Sequence, residues 1–221
     1  MTIISIVCVP EGMAMASDSR LLGSYTRENG MVDRFIFSDQ AQKLLLIRNT
    51  TIGISFCGDA FFEGKTTADF LRDFDKRQVL NSTTIPEVAD KLHNDLLRNG
   101  TEQYNISFYL AGYDSDVPYV YLVNREHIIR KNFSEINQVI TYSASWHGEI
   151  APISRLLQET PLNFKLMPLK DAIDLAEFIV GTTINYLRFS DGISTCGGPV
   201  DSLVISKDYT KYIKHKILQP Y

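Results

Sequence analysis

The chain has 221 residues, 44% of them apolar and 22% charged, with a net charge of −4. That length buries a sizeable core as one large domain, taken here as residues 1–221, and the charge leaves no electrostatic footprint for nucleic acid. No apolar run reaches the ~20 residues of a membrane-spanning helix. Three scattered cysteines (Cys8, Cys57 and Cys196) fit neither a disulfide framework nor a zinc site, and point to a reducing, cytoplasmic setting.

Ile3–Val9 is apolar and rich in β-branched residues, so it predicts a strand. It is not read as a secretion signal, because no Lys or Arg precedes it and Pro10-Glu11-Gly12 interrupts it before Ala14-Met15-Ala16. Those three residues instead predict a tight turn into a second strand, Met13–Ser17. Leu22–Asp33 is polar and glycine-bearing and reads as a loop. Lys43–Ile47 and Thr51–Cys57 predict another strand pair joined at Arg48-Asn49-Thr50, and Gly58-Asp59 breaks the pattern.

Two helices are expected next. Ala68, Leu71 and Phe74 recur near helical spacing. Thr84 then reads as an N-cap, with Pro86 in the first turn and Glu87 three residues after the cap. Val88, Leu92 and Leu96 mark the buried face, and Gly100 is the expected stop. Strands return at Ile106–Gly112 and Tyr119–Val123, with further segments at His127–Arg130 and Gln138–Tyr142. A second helical pair is predicted over Glu149–Gln158 and Leu169–Arg188, with Gly181 inside the longer one at a cost of ~1 kcal/mol or for close packing. The chain is expected to end in strands near Asp201–Ser206 and Tyr212–Leu218, the basic Tyr209–Lys216 stretch being read as solvated.

The order is strands, two helices, strands, two helices, strands. Short connections within each strand group argue for antiparallel pairing. Each helix pair must cover a sheet face and each sheet must bury its other face. The economical solution is an α+β fold, a four-layer α-β-β-α sandwich of two antiparallel sheets.

Met1-Thr2 carries little by itself. An N-terminal threonine, however, brings its own base, because an α-amine titrates near ~7.7–8.0, far below lysine. Asp18 follows the second strand, whose end returns near the start of the first, so it can approach Thr2. Lys43 opens the next strand. A lysine cation there would favour deprotonated neighbours, and the carboxylate would hold the lysine in place.

At this point the sequence resembles the proteasome β-subunits and their bacterial relatives, the HslV peptidase and the Anbu proteins. The resemblance rests on Thr2-Ile3-Ile4-Ser5, Gly12, and Ala16-Ser17-Asp18-Ser19-Arg20, the last run being especially like Anbu. Gln42-Lys43-Leu44, Ser55–Ala60, Gly112-Tyr113-Asp114, Tyr142–Gly148 and Cys196–Asp201 follow in the family's order. It implies the same four-layer fold and a threonine peptidase. Thr2 would be nucleophile and base, Asp18 and Lys43 the supporting pair, and a backbone N–H in the Ser55–Cys57 turn the oxyanion donor. A ring-like homo-oligomer, a peptide or amide substrate and, in some relatives, a feeding ATPase are also implied; no cofactor is.

The chain departs from the family pattern at three places. Ser55 stands where the oxyanion turn usually has glycine, which would narrow the approach of a substrate backbone. Trp146-His147-Gly148 stands where the family has Gly-Ser-Gly, so the serine is replaced by His147 or shifted to Ser145. In the downstream Asp-x-x-Ser, a direct count falls on Ile193 and Cys196, and a slipped register uses Asp191 and Ser194. His147 could move protons, or be a surface histidine at a helix start. Two alternatives to a peptidase stand: an amidase or acylase on the same fold, and a silent ring-forming subunit that keeps Met1.

Overall fold

The computed structural model describes residues 2–62, 64–99, 104–158 and 161–218. The strands are Ile3–Val9 (β1), Gly12–Ser17 (β2), Leu21–Thr26 (β3), Val32–Ser38 (β4), Leu44–Ile47 (β5), Ile52–Gly58 (β6), Phe61–Phe62 (β7), Lys65–Thr66 (β8), Ile106–Asp114 (β9), Val117–Asn124 (β10), Ile128–Arg130 (β11), Phe133–Ser134 (β12), Val139–Ile140 (β13), Ser143–Gly148 (β14), Asp201–Ile205 (β15) and Thr210–Lys214 (β16). Four helices complete the described residues: Thr67–Gln78 (α1), Ile85–Asn99 (α2), Ala151–Leu157 (α3) and Leu169–Leu187 (α4).

Two five-stranded antiparallel sheets dominate this mixed α/β architecture. One runs β14-β1-β2-β15-β16, the other β11-β10-β9-β6-β5. Alternation along each strand sends successive side chains to opposite faces. Ile4, Ile6, Met13 and Met15 of the first sheet therefore meet Leu44, Cys57, Tyr109 and Val120 of the second in one apolar cluster. Ile3, Val7, Ala14 and Ala16 face the other way and pack with Ile173, Ala176, Ile179 and Val180 of α4 and Ile153 of α3. Ile54, Phe56 and Phe108 of the second sheet pack with Phe70, Leu71 and Phe74 of α1 and Val88 and Leu92 of α2. Ser5, buried between sheet and helix, satisfies its hydroxyl by donating to the Ala176 carbonyl at 2.8 Å.

Local chemistry accounts for the element ends. At the start of α2 the Glu87 N–H donates to Thr84 Oγ1 at 3.4 Å, while the Thr84 N–H donates to the Glu87 carboxylate at 2.7 Å, a reciprocal capping box. The β9–β10 hairpin turns on Ser115 and Asp116, both left-handed at φ 46° and 69°, so the strands run past the expected ends at Gly112 and Tyr119 to Asp114 and Val117. The expected stop at Gly100 lies outside the described residues.

Several expectations are corrected. Residues 22–33 are not a loop: β3 and β4 form a two-stranded hairpin that extends to Ser38. Segment 143–148, to which no strand was assigned, pairs with β1 from Ile3–Gly148 to Cys8–Ser143. His147 therefore lies on a strand rather than at a helix start. Gly181 is not a close-packing site, since a Cβ there would meet no atom within 4 Å. The basic C-terminal stretch is only partly solvated: His215 is buried, and the Lys216 ammonium is buried against Asp201.

Candidate active site

The β1–β2 hairpin and the start of β5 bring three polar residues together below the surface. In the register Ile4 faces Ser17, so Asp18 follows directly beside Ile3 and Thr2. Lys43 Nζ donates to Thr2 Oγ1 at 3.0 Å and to Asp18 Oδ1 at 2.9 Å. All three are nearly sealed from solvent: Thr2 is 3% exposed, Asp18 0% and Lys43 3%.

Asp18 is satisfied on both oxygens. Oδ1 also accepts the Ile3 N–H at 3.1 Å, and Oδ2 accepts the N–H groups of Arg20 and Gly197, each at 3.1 Å. Four donors on one carboxylate fill its lone-pair sites, which offsets the cost of burying the charge. The carboxylate thereby fixes where Lys43 points, and Lys43 fixes the Thr2 hydroxyl.

The Thr2 main chain is held by the end of β14. The Glu149 N–H donates to the Thr2 carbonyl at 2.9 Å. Gly148, at φ +105°, lies so close that a Cβ would sit 1.7 Å from the same carbonyl oxygen. Only glycine fits there.

Residues 55–57 lie within strand β6 rather than in a turn. The Phe56 N–H donates to the Lys43 carbonyl at 3.2 Å, and the Asp59 N–H donates to the Asn105 carbonyl at 3.0 Å on the opposite edge. Successive N–H groups alternate between strand edges. Those of Ser55 and Cys57 therefore turn toward β9, where Ser55 faces Tyr109 and Cys57 faces Ser107. The next N–H on the Lys43 edge belongs to Gly58, past the start of β5. Gly58 has φ +112° and lines both cavities that reach Thr2. The sequence reading missed this donor, although the Gly-Asp break after the strand was visible.

The larger of these cavities, about 560 Å³, runs from Thr2 and Lys43 along the β3–β4 hairpin, past Leu22, Phe37, Phe56 and Arg34. The smaller, about 270 Å³, lies on the other side of Thr2 and is lined by Cys57, Asn105, Ser107, His147 and Ile150.

The remaining expected residues are placed as follows. His147 reaches the smaller cavity. Burial, and secondarily Lys131, hold its pKa below the usual imidazole value. Ser145 instead shares a hydrogen bond with Tyr109, and Ser194 Oγ donates to the Cys196 carbonyl at 2.8 Å. Asp191 lies in a third cavity with Arg34, Glu149 and Thr195. None of these three lines the cavities at Thr2. Of the directly counted pair, Ile193 is exposed and Cys196 is buried against the α4 cluster, which drives its thiol pKa upward. The Ser55 hydroxyl is buried with no hydrogen-bond partner.

A solved structure of a Gly-1 mutant of Anbu from Hyphomicrobium sp. strain MC1 superposes on this chain with a TM-score of 0.65. The match covers 97% of this chain and 85% of that one, at 14% sequence identity. This chain shares the fold of Anbu. Anbu is a bacterial proteasome-related protein of the N-terminal-nucleophile hydrolase type. At this identity the likeness is one of fold. No family model matches the sequence, and no curated protein matches it. Among the described residues no helix is long and apolar enough to cross a membrane, and no group of three or more His, Cys, Asp or Glu could hold a metal ion.

Proposed function

We propose that the chain is an N-terminal threonine hydrolase that cleaves peptide or related amide bonds, with Thr2 as nucleophile and Asp18 and Lys43 as its supporting pair. The observation that carries this reading is the buried chain of contacts from Asp18 through Lys43 to Thr2 Oγ1. A surface ion pair would need no burial, and a purely structural one would need no nucleophile at its end.

The chemistry requires cleavage of the Met1–Thr2 bond. The freed α-amine, with an ordinary pKa of ~7.7–8.0, then takes the hydroxyl proton as Oγ1 attacks the carbonyl carbon. Lys43 stabilises the charge developing on Oγ1 through its 3.0 Å contact. The Gly58 N–H serves the carbonyl oxygen as it becomes an oxyanion. Collapse breaks the C–N bond, the amine leaves with the proton, and the ester on Thr2 is hydrolysed by water. No step calls for a cofactor. Ser145, Asp191 and Ser194 have no part in this reading.

The three apolar clusters support layers of helices, sheet, sheet and helices within one domain. Exposed Tyr25, Phe35 and Phe37 on the β3–β4 hairpin, together with the likeness to Anbu, support a ring-like homo-oligomer. Three free, buried cysteines support a reducing, cytoplasmic setting.

The test is intact mass combined with active-site labelling. The protein from its native host should lack Met1, and a peptide thioester should add one acyl group to Thr2. Thr2→Ala should abolish both labelling and peptide turnover. Quantitative retention of Met1 would favour the silent ring-forming subunit. Turnover of acylated amines but never of peptides would favour the amidase.

A further inference from the structure

Thr2 and Gly58 are the two residues common to both cavities at the site. That placement has a chemical consequence. In amide cleavage the acyl group and the departing amine lie on opposite sides of the reacting carbonyl, so an efficient nucleophile needs space on both sides of itself. Proton flow decides which space is which. The proton taken from Oγ1 rests on the Thr2 amine and must be handed to the leaving nitrogen. The leaving group therefore belongs on the side of the Thr2 main chain rather than the side of Lys43. The Thr2 main chain runs along Gly148, the last residue of β14, and Gly148 walls the smaller cavity. Lys43 and the hairpin wall the larger one.

We propose that the smaller cavity is a leaving-group subsite that takes a residue-sized, hydrogen-bonding amine, with His147 contacting the departing group. This rests on Thr2 being the nucleophile. Asn105, Ser107 and His147 supply the polar walls, Cys57 and Ile150 the apolar ones. At about 270 Å³ the space is slightly below the ~300 Å³ at which cavities begin to hold drug-sized ligands. It is large enough for one residue, and its polar walls favour an amine that carries a further hydrogen-bonding group over an apolar one of the same size.

The His147 ring is fixed rather than free. It stands edge-on to Tyr109, with centroids 6.5 Å apart, and Tyr109 is itself held by its hydrogen bond with Ser145. The β1–β14 register places His147 opposite Ile4, on the face turned toward the second sheet. Burial keeps the ring neutral at neutral pH, so one nitrogen can accept a hydrogen bond from the leaving N–H. Once the amine has gone, the vacated cavity admits the water that releases the acyl group, and the ester C–O bond breaks as Oγ1 recovers its proton.

Partition of the acyl-enzyme tests this. A peptide thioester acylates Thr2 without needing an amine leaving group. Added amines then compete with water for the ester, and the ratio of amide to acid product is read by mass spectrometry. Glycinamide and serinamide should capture the acyl group saturably, and 2-aminobutanamide, the apolar counterpart of serinamide, should need a higher concentration for half-capture. His147→Ala should lower the amide-to-acid ratio about tenfold, the factor that one lost hydrogen bond carries, and raise the amine concentration needed for half-capture. His147→Gln, which keeps a hydrogen-bonding side chain, should recover part of that loss. Ser107→Leu, which fills the cavity, should lower the ratio as well. Equal half-capture concentrations for serinamide and 2-aminobutanamide in the wild type would overturn the subsite, whatever the variants do. So would an unchanged ratio in both His147→Ala and Ser107→Leu. If the thioester acylates Thr2→Ala as readily as the wild type, the threonine mechanism itself fails and the subsite falls with it. That outcome is distinct from acylation at Thr2 with no amine selectivity.

Discussion

The Gly197 N–H donates to the Asp18 carboxylate across 179 residues of chain, at 3.1 Å. The carboxylate beside the proposed nucleophile is thus completed only when the loop before β15 has docked. Asp18 is fully buried, so removing it leaves the Lys43 ammonium uncompensated and three backbone N–H groups without their acceptor. Asp18→Ala should cost ~3–5 kcal/mol of stability. Asp18→Asn keeps one acceptor oxygen, which can serve the Arg20 and Gly197 N–H groups but then turns its NH2 toward the Ile3 N–H and Lys43, so it should recover only part of that cost and still lose peptide turnover because Lys43 is no longer held by charge. Urea unfolding and turnover of the two variants, side by side, check this.

The same loop gives a coupling prediction. A Cβ on Gly197 would lie 2.5 Å from the Arg20 guanidinium carbon. Arg20 cannot swing aside freely, because it pairs with both Asp39 oxygens at 2.6 and 2.9 Å and donates to the Ser194 carbonyl at 3.1 Å. Gly197→Ala should therefore destabilise the wild type by ~1–3 kcal/mol, the usual range for overpacking. In an Arg20→Ala background it should cost much less. A double-mutant cycle with no coupling would mean that the loop moves instead of the arginine.

Ser55 makes the opposite case. Its hydroxyl is buried with no protein partner, so it contributes a desolvation cost and no compensating bond. Ser55→Ala should leave stability unchanged or raise it by ~1 kcal/mol. Turnover should persist, because no step of the proposed mechanism uses the Ser55 hydroxyl. A loss of turnover with unchanged stability would give that hydroxyl a role in the chemistry.

What could be read from the sequence follows what burial writes into it. The β1–β2 hairpin was legible because both strands are sealed and apolar along their length, with Pro10-Glu11-Gly12 between them. The β3–β4 hairpin was not, because much of its surface is exposed and it carries polar residues and glycine in place of an alternating face. β14 was missed for a related reason. Ser-Ala-Ser-Trp-His-Gly has little strand propensity of its own and takes its form from the edge of β1. In the site, Asp18 could be placed near Thr2 by strand length alone, whereas Lys43 could be placed there only through the family resemblance. The direction of the Gly58 N–H depends on ladder alternation, which no residue identity encodes. The Asp18–Gly197 contact depends on tertiary docking.

Acid should weaken the fold through two histidines. His147 is held below the usual imidazole pKa by burial, then by Lys131. His215 is held below it by burial foremost, with Lys216 lowering and Asp201 raising. Its Nδ1 also accepts the N–H groups of Ile217 and Leu218, each at 3.2 Å, which needs an unprotonated nitrogen. In the unfolded chain both rings bind protons near ~6.5. Where the unfolded state binds more protons, stability rises with pH. The contribution is therefore full above about 6.5 and is lost as pH falls below it. Unfolding free energy should drop between pH 7.5 and 5.5, within the window set by that ~6.5 reference. The drop should be smaller in a His147→Gln/His215→Gln variant, and an equal drop in both proteins would assign it to other groups.

Two glycines separate the site from the scaffold. A Cβ at Gly148 would sit 1.7 Å from the Thr2 carbonyl oxygen and 2.7 Å from its carbon, both backbone atoms, and the residue has φ +105°. Gly148→Ala must therefore strain its own backbone and push Thr2 off the Glu149 N–H, carrying Oγ1 away from Lys43. A displacement of about 1 Å at a reacting group can cost ~100-fold in rate, so acylation should fall by at least that order. Gly181, within α4, meets nothing within 4 Å and has no positive φ. Gly181→Ala should stabilise by ~0.5–1 kcal/mol through helix propensity and leave acylation as it was. The two variants make the same chemical change, one methyl group. A large effect of Gly148→Ala on acylation, beside a purely thermal effect of Gly181→Ala, would locate the sensitivity at Thr2. If Gly148→Ala acylates normally, the end of β14 does not position the nucleophile.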